Sequence, residues 1–178
     1  MGVPMWLGVI GGVATGALMG LINGLNIAFL KLPPFIATLA MMMIAQGLAL
    51  VISGVRPIYF STSAPNFKDI ALGTLIPGLP NAVLITGVLA IIAFFVLGKT
   101  LLGRYTFAIG SNEEATRLSG VNTRRWLVLI YVFAGTFTGI AGVVMASRLD
   151  SAQPQLGMGY ELQAIAAVII GGTSLMGG

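Results

Sequence analysis

Four apolar runs, none interrupted by a charged residue, decide what this chain can fold into. They extend from about Pro4 to Leu30, Pro34 to Ser53, Asn81 to Gly98 and Trp126 to Ser147. Each has room for the ~20 helical residues that cross ~30 Å of hydrocarbon. The third is the shortest and can draw on Leu101 and Leu102 at its end. Inside a bilayer the backbone has to satisfy its own hydrogen bonds, so runs of this kind read as helices. The composition agrees: 57% of the 178 residues are hydrophobic and only 8% are charged, against about 25% charged in soluble domains. The expected fold class is all-α integral membrane, a polytopic transmembrane helix bundle forming one partial domain over residues 1–178. It has about four full spans plus a partial or re-entrant fifth.

That fifth stretch is different in kind. Leu162 to Ile170 is apolar but is stopped by Gly171 and Gly172, and nine residues cannot span a bilayer as a helix. Glu161 stands where the helix begins, its carboxylate facing the partial positive charge of the N-terminus. A discontinuous element lining a path is expected here, because irregular backbone at membrane depth is tolerated only inside protein or beside a cavity. The bland alternative is a continuous, glycine-weakened span. The sequence closes on Gly177-Gly178 without a polar tail and reads as part of a longer chain. No signal peptide is evident at its start: the first apolar run is too long for an h-region.

Basic residues set the expected orientation. Lys31, Lys99, Arg104, Arg117, Arg124 and Arg125 fall on one side of alternating spans; Arg56, Lys68 and Arg148 fall on the other. The richer side reads as cytoplasmic, which makes residues 99–125 a cytoplasmic loop and residues 55–79 a periplasmic one. The outer loop carries Pro57, Pro65 and Pro77 and is expected to be irregular. Lys31-Leu32-Pro33 is a tight connection, and Pro34 suits the first turn of the second helix. Because the positive charge lies between apolar runs, it reads as a topology signal and not as a nucleic-acid footprint.

The chain has no cysteine and no histidine. Disulfides, Cys/His metal sites, thiol nucleophiles and imidazole acid–base chemistry are therefore excluded. Gly98-Lys99-Thr100 has the ending of a phosphate-binding loop, but the motif needs a glycine where Ala93 stands. Any ATP hydrolysis must come from another subunit, which would then hold the ATP and Mg; this chain is expected to carry no cofactor and no metal.

Two stretches point to function. Gly8, Gly12, Gly16, Gly20 and Gly24 recur every four residues, a stripe that lets another helix approach backbone to backbone. It reads as a packing surface or as a pore-facing groove, with Asn23 and Asn26 near its end. Within the 99–125 loop, Ser111-Asn112-Glu113-Glu114 reads as a capping box. It opens a short helix from Asn112 to Ser119 that Gly120 stops. Glu113 and Glu114 at its start and Arg117 near its end complement the helix dipole, while Ala115 and Leu118 share a face. A docking element for a cytoplasmic partner accounts for such a helix; resting on the membrane surface is the alternative.

The stretch GRYTFAIGSNEEATRLSGVNTRR resembles the cytoplasmic loop of bacterial sugar ABC permeases of the ribose, xylose and galactose group. GLINGLNIAFLKLPPFIATLAMM and RLDSAQPQLGMGYELQAIAAVIIGGTSLMGG are similar to two further regions of that family. The resemblance covers essentially the whole chain, and members of the family are much longer. It implies an importer of the inner membrane in which a permease homodimer works with two cytoplasmic ATP-binding subunits and a periplasmic sugar-binding protein. By position it makes Glu113, Glu114, Ala115, Arg117, Leu118 and Gly120 the coupling helix. It places Phe35, Thr38, Glu161, Gly171 and Gly172, with Asn23, near the translocation path.

Two other functions compete. A secondary transporter usually places an ionisable residue inside a span, and these spans have none. A membrane assembly subunit without a transport role would have no ATPase partner. Co-purification with a nucleotide-binding subunit separates the three.

Overall fold

The computed structural model describes residues 4–60 and 66–173. Helix α1 runs over Met5–Leu30, α2 over Pro34–Ser53, α4 over Asn81–Lys99 and α7 over Thr123–Leu149. All four are long and apolar enough to cross a membrane. Shorter elements join them: β1 (Ile58–Tyr59), α3 (Asp69–Leu72), α5 (Leu101–Ser111), α6 (Glu113–Leu118), β2 (Ser151–Ala152) and α8 (Tyr160–Ile170). The fold is a polytopic helical membrane architecture.

Local chemistry sets the ends of the spans. The α1–α2 turn places Lys31 in the left-handed region at φ 53°, and Pro34 opens α2 where its missing N–H costs nothing. Gly54, at φ 60°, closes α2 by donating its N–H to the carbonyls of Leu50 and Val51. The α4 helix stops at Lys99 and Thr100 adopts an extended conformation. Leu101 and Leu102 therefore do not lengthen the third span, contrary to the sequence reading that it could draw on them; they begin α5 instead. The chain turns so sharply there that a β-carbon at Gly103 would collide with the Leu97 backbone.

One contact organises the bundle: α1 lies antiparallel along α7. A β-carbon at Gly12 would sit 2.7 Å from Val143 Cγ2, one at Gly16 would sit 2.6 Å from Gly139 Cα, and one at Gly24 would sit 2.8 Å from Val128 Cα. At Gly20 it would collide with the Tyr131 carbonyl. Gly8 lies beyond the seam, with nothing within 4 Å. The α7 side is cut to match: Gly135 and Gly139 repeat the four-residue spacing and face the α1 backbone. By contrast α4 buries no residue, and Val51, Phe94 and Ile170 are among many large apolar side chains left exposed.

Within the 55–79 stretch, residues 55–60 and 66–79 hold more regular structure than the irregular loop expected from sequence. β1 pairs antiparallel with β2, Ile58 against Ala152 and Tyr59 against Ser151. The α3 turn docks on the end of α7 through Ser147, which is fully buried. Its hydroxyl donates to the Phe67 carbonyl at 2.7 Å and accepts from the Ala71 N–H at 3.0 Å. Asn81 ties the same stretch to α4, donating to the Asp69 carbonyl and accepting from the Leu75 N–H.

These elements sort the charges by end. The α1–α2 turn and the α5–α6 region meet the start of α7 at one end, with six basic and two acidic residues. The other end has three of each, so the net charge of +4 belongs entirely to the first.

A groove between three spans and a clamped short helix

Helices α1, α2 and α7 enclose a groove of about 1380 Å³, capped by the β1–β2 ribbon and the start of α8. It is larger than the ~300–1000 Å³ of an ordinary ligand pocket. The glycine stripe makes this space: Gly8, Gly12, Gly16 and Gly20 line it, and the last three also form the α1 side of the seam. Packing and groove, alternatives in the sequence, are two edges of the same surface.

The lining is mostly apolar, and its polar groups include no cation. Asn23, Thr38, Gln46, Thr138 and Gln153 contribute uncharged polar groups, and Glu161 is the one charge, at the mouth. Among the described residues, no lysine or arginine faces this space. Thr15 donates its hydroxyl proton to the Gly11 carbonyl at 2.7 Å, Thr38 to Pro34 at 3.0 Å and Thr138 to Ala134 at 3.1 Å. Their protons are committed to their own helices, so these oxygens face outward as acceptors. The Asn23 Oδ1 is buried and has no hydrogen-bond partner among the described residues, which costs free energy unless a donor arrives. Three of the residues that the resemblance placed near a path, Asn23, Thr38 and Glu161, share this groove. Phe35 is 61% exposed and does not line it, and neither do Gly171 and Gly172 at the far end of α8.

The α8 helix itself has 11 residues, about 16 Å at 1.5 Å each and so half a bilayer. It stops at Gly171, and Gly172 turns through φ 89°. The Ser174–Gly178 end of the sequence motif lies outside the described residues.

At the basic end the short helix is held differently from the capping box the sequence implied. Ser111 is the last residue of α5. Asn112 is the cap: its side chain accepts from the Ala115 N–H at 2.9 Å. The reason is spacing, since Asn112 is extended at the break between α5 and α6 and only its carboxamide reaches the first turn. Glu114 turns forward to pair with Arg117 instead of reaching back to the cap. The helix is correspondingly shorter, Glu113–Leu118. Thr116 is buried and donates to the carbonyls of Asn112 and Ala108, and the Glu113 carboxylate accepts from the Thr123 hydroxyl at 3.2 Å. One side of α6 is thereby clamped to α5 and α7, and Gly120 closes it at φ 85°. The opposite side presents Ala115 and Leu118, the latter 78% exposed. The α5 helix, which carries half of this mount, is legible in LLGRYTFAIGS only as a stretch without Pro.

Comparison with known proteins agrees with this architecture. The family model described as the permease component of the branched-chain amino acid transport system matches residues 1–178. The ribose import permease protein of Haemophilus influenzae is 41% identical over 99% of this chain and 55% of its own length. That of Escherichia coli K12 is 42% identical over 93% of this chain and 52% of its own. The L-arabinose transport system permease protein of the same strain is 42% identical over 98% and 52%. No solved structure matches the chain. The chain spans about half the length of the curated relatives it matches. With four apolar spans and a family match from end to end, this chain belongs to the family of multi-pass permease components of bacterial inner-membrane transport systems.

Proposed function

We propose that the chain is part of the membrane-spanning subunit of an ATP-binding-cassette importer, and that its substrate is a neutral monosaccharide of the ribose kind. The uncharged polar side chains set into a mostly apolar groove are the observation that carries this reading. A sugar hydroxyl can donate to the orphaned Asn23 Oδ1 and to the outward-facing threonine oxygens. An amino acid would bring a carboxylate into a groove where no described side chain is cationic, and an unpaired buried charge is costly. That favours the sugars named for the relatives over the amino acids named in the family description.

The remaining parts follow from this reading. A periplasmic binding protein delivers the sugar to the end that carries the β1–β2 ribbon. A second permease copy completes the path, and a cytoplasmic subunit supplies ATP and Mg. The exposed Ala115/Leu118 face of α6 docks on that subunit, and its clamp to α5 and α7 passes the movement on to the seam. Gln46 and Thr138 join Asn23, Thr38 and Glu161 as substrate-facing candidates.

Reconstitution of the full-length permease with its ATPase and binding protein into liposomes tests the proposal. ATP-dependent uptake of labelled ribose, arabinose or allose, with no uptake of leucine, is expected. Uptake of leucine alone would overturn the substrate class. Uptake that follows an ion gradient without ATP would establish a secondary transporter, and a permease that purifies with no ATPase and transports nothing would be an assembly subunit.

A further inference from the structure

The basic end holds a cluster of cations that neither the groove nor α6 uses. The Arg124 guanidinium lies 5.7 Å from the centre of the Phe29 ring, which joins the end of α1 to the start of α7. Two residues further on, Trp126 packs against Tyr105 of α5 with ring centres 4.6 Å apart. This aromatic pair brings two Arg-aromatic dipeptides, Arg104-Tyr105 and Arg125-Trp126, to the same α5–α7 junction. Arg104, Arg124 and Arg125 are exposed, and among the described residues none has a carboxylate within 4.0 Å. Both acids of this end are engaged elsewhere: Glu114 pairs with Arg117, and Glu113 accepts from Thr123.

We propose that this junction binds the phosphate of an anionic phospholipid headgroup. The guanidinium fork matches phosphate oxygens two at a time, and three such forks belong to this junction, where no described protein carboxylate pairs with them. The surroundings select a lipid as the source of the phosphate. Phe29, Leu30 and Leu101 stand exposed beside the arginines at 56%, 66% and 53%, an apolar margin that acyl chains cover. Tyr and Trp are the side chains that settle at headgroup level. The cation–π contact holds Arg124 against an exposed apolar ring, where the charge can meet a headgroup without having to order a free side chain. The site is independent of the transport reading: it needs the bilayer and nothing of the sugar, the ATPase or the binding protein.

Native mass spectrometry of the full-length permease tests it. The protein is released from micelles containing equimolar phosphatidylglycerol and phosphatidylcholine, and the retained lipids are counted. Each basic residue near an anionic surface favours binding by roughly fivefold, so phosphatidylglycerol adducts should dominate by at least about tenfold. The preference should fall as salt rises. The triple variant Arg104→Gln, Arg124→Gln, Arg125→Gln should bring the two lipids to parity. The corresponding triple lysine variant, which keeps the charge if the glutamine form fails to insert, should retain most of the preference. Phe29→Leu should weaken it by freeing Arg124. Equal retention of both lipids by the unmodified protein would overturn the proposal, as would a preference that survives the glutamine variant but is lost when Arg56, Lys68 and Arg148 are replaced. Displacement of the adducts by millimolar inorganic phosphate would show a free-anion site and overturn the lipid assignment.

Discussion

Gly16→Leu compared with Gly8→Leu isolates the seam between α1 and α7. Both glycines belong to the same helix and the same four-residue stripe. At Gly16 even the first added carbon would sit 2.5 Å from the Gly135 carbonyl oxygen and 2.6 Å from the Gly139 backbone. At Gly8 it would meet nothing within 4 Å. Non-bonded carbons sit best at about 3.5–4.0 Å, so even a methyl group requires a separation of roughly 1 Å. The branched end of leucine requires more. If the seam holds on the order of 30 close atom pairs at ~0.15 kcal/mol each, losing most of them costs roughly 4 kcal/mol. For a full-length permease about twice the size of this chain that is a Tm lower by on the order of 5 °C. The assay is thermal unfolding of the full-length permease in detergent, followed by fluorescence-detected size exclusion. Gly8→Leu should lie within about 2 °C of the unmodified protein, since it adds an apolar group beside the groove and displaces no backbone. A Gly16→Leu protein as stable as Gly8→Leu would refute the close backbone contact and with it the organising role of the seam.

Three other perturbations probe the remaining parts. Ser147→Ala leaves the Ala71 N–H and the Phe67 carbonyl without their buried partner, at a cost of about 1–3 kcal/mol; faster protease cleavage within residues 66–80 should report it, and unchanged cleavage would show the clip to be redundant. Leu118→Asp, at a position 78% exposed, should leave membrane insertion and capture of the binding protein intact. It should abolish sugar uptake and release the ATPase subunit, and normal uptake with the ATPase still bound would assign coupling to another surface. For orientation, a cysteine at Leu75, 81% exposed, should react with an impermeant reagent in intact cells, and one at Asn112 only after the membrane is opened. The reverse pattern would invert the assignment.

The spans were legible because their signal is independent of context. An uncharged run of 20 residues has few alternatives to a membrane helix, and α2 begins and ends at the residues its prolines and glycine mark, Pro34 and Ser53. What escaped the reading depends on partners distant in the chain. The β1–β2 pair joins Ile58 to Ala152, and neither dipeptide carries enough pattern to be noticed alone. Ser147 is an ordinary serine near the end of a helix until α3 covers it. Ser111 loses the cap to Asn112 because α5 continues through it, and α5 was hidden inside a stretch read as loop. The seam was half visible: the stripe on α1 is plain in the sequence, and the matching Gly135-Gly139 spacing on α7 was there to be found by the same rule. The groove was the least accessible, since it needs α1, α2 and α7 together, which is why Gln46 and Thr138 escape a reading that finds Asn23 near the end of the glycine stripe.

The same seam sets an order of events during synthesis. Gly16 meets Gly139, and α7 emerges from the ribosome on the order of 120 residues after the middle of α1, roughly 6–24 s at ordinary elongation rates. For that interval the glycine face of α1 stands in the bilayer without the α7 backbone it will meet. It can wait there because the stripe carries no charge, its backbone groups are bonded within the helix and Thr15 returns its hydroxyl to Gly11. Assembly thus divides into two stages, insertion of a self-sufficient helix and later closure on a partner. A backbone contact made from glycines lets the first stage proceed without the second, because nothing on that face has to be hidden from lipid while the partner is still being made.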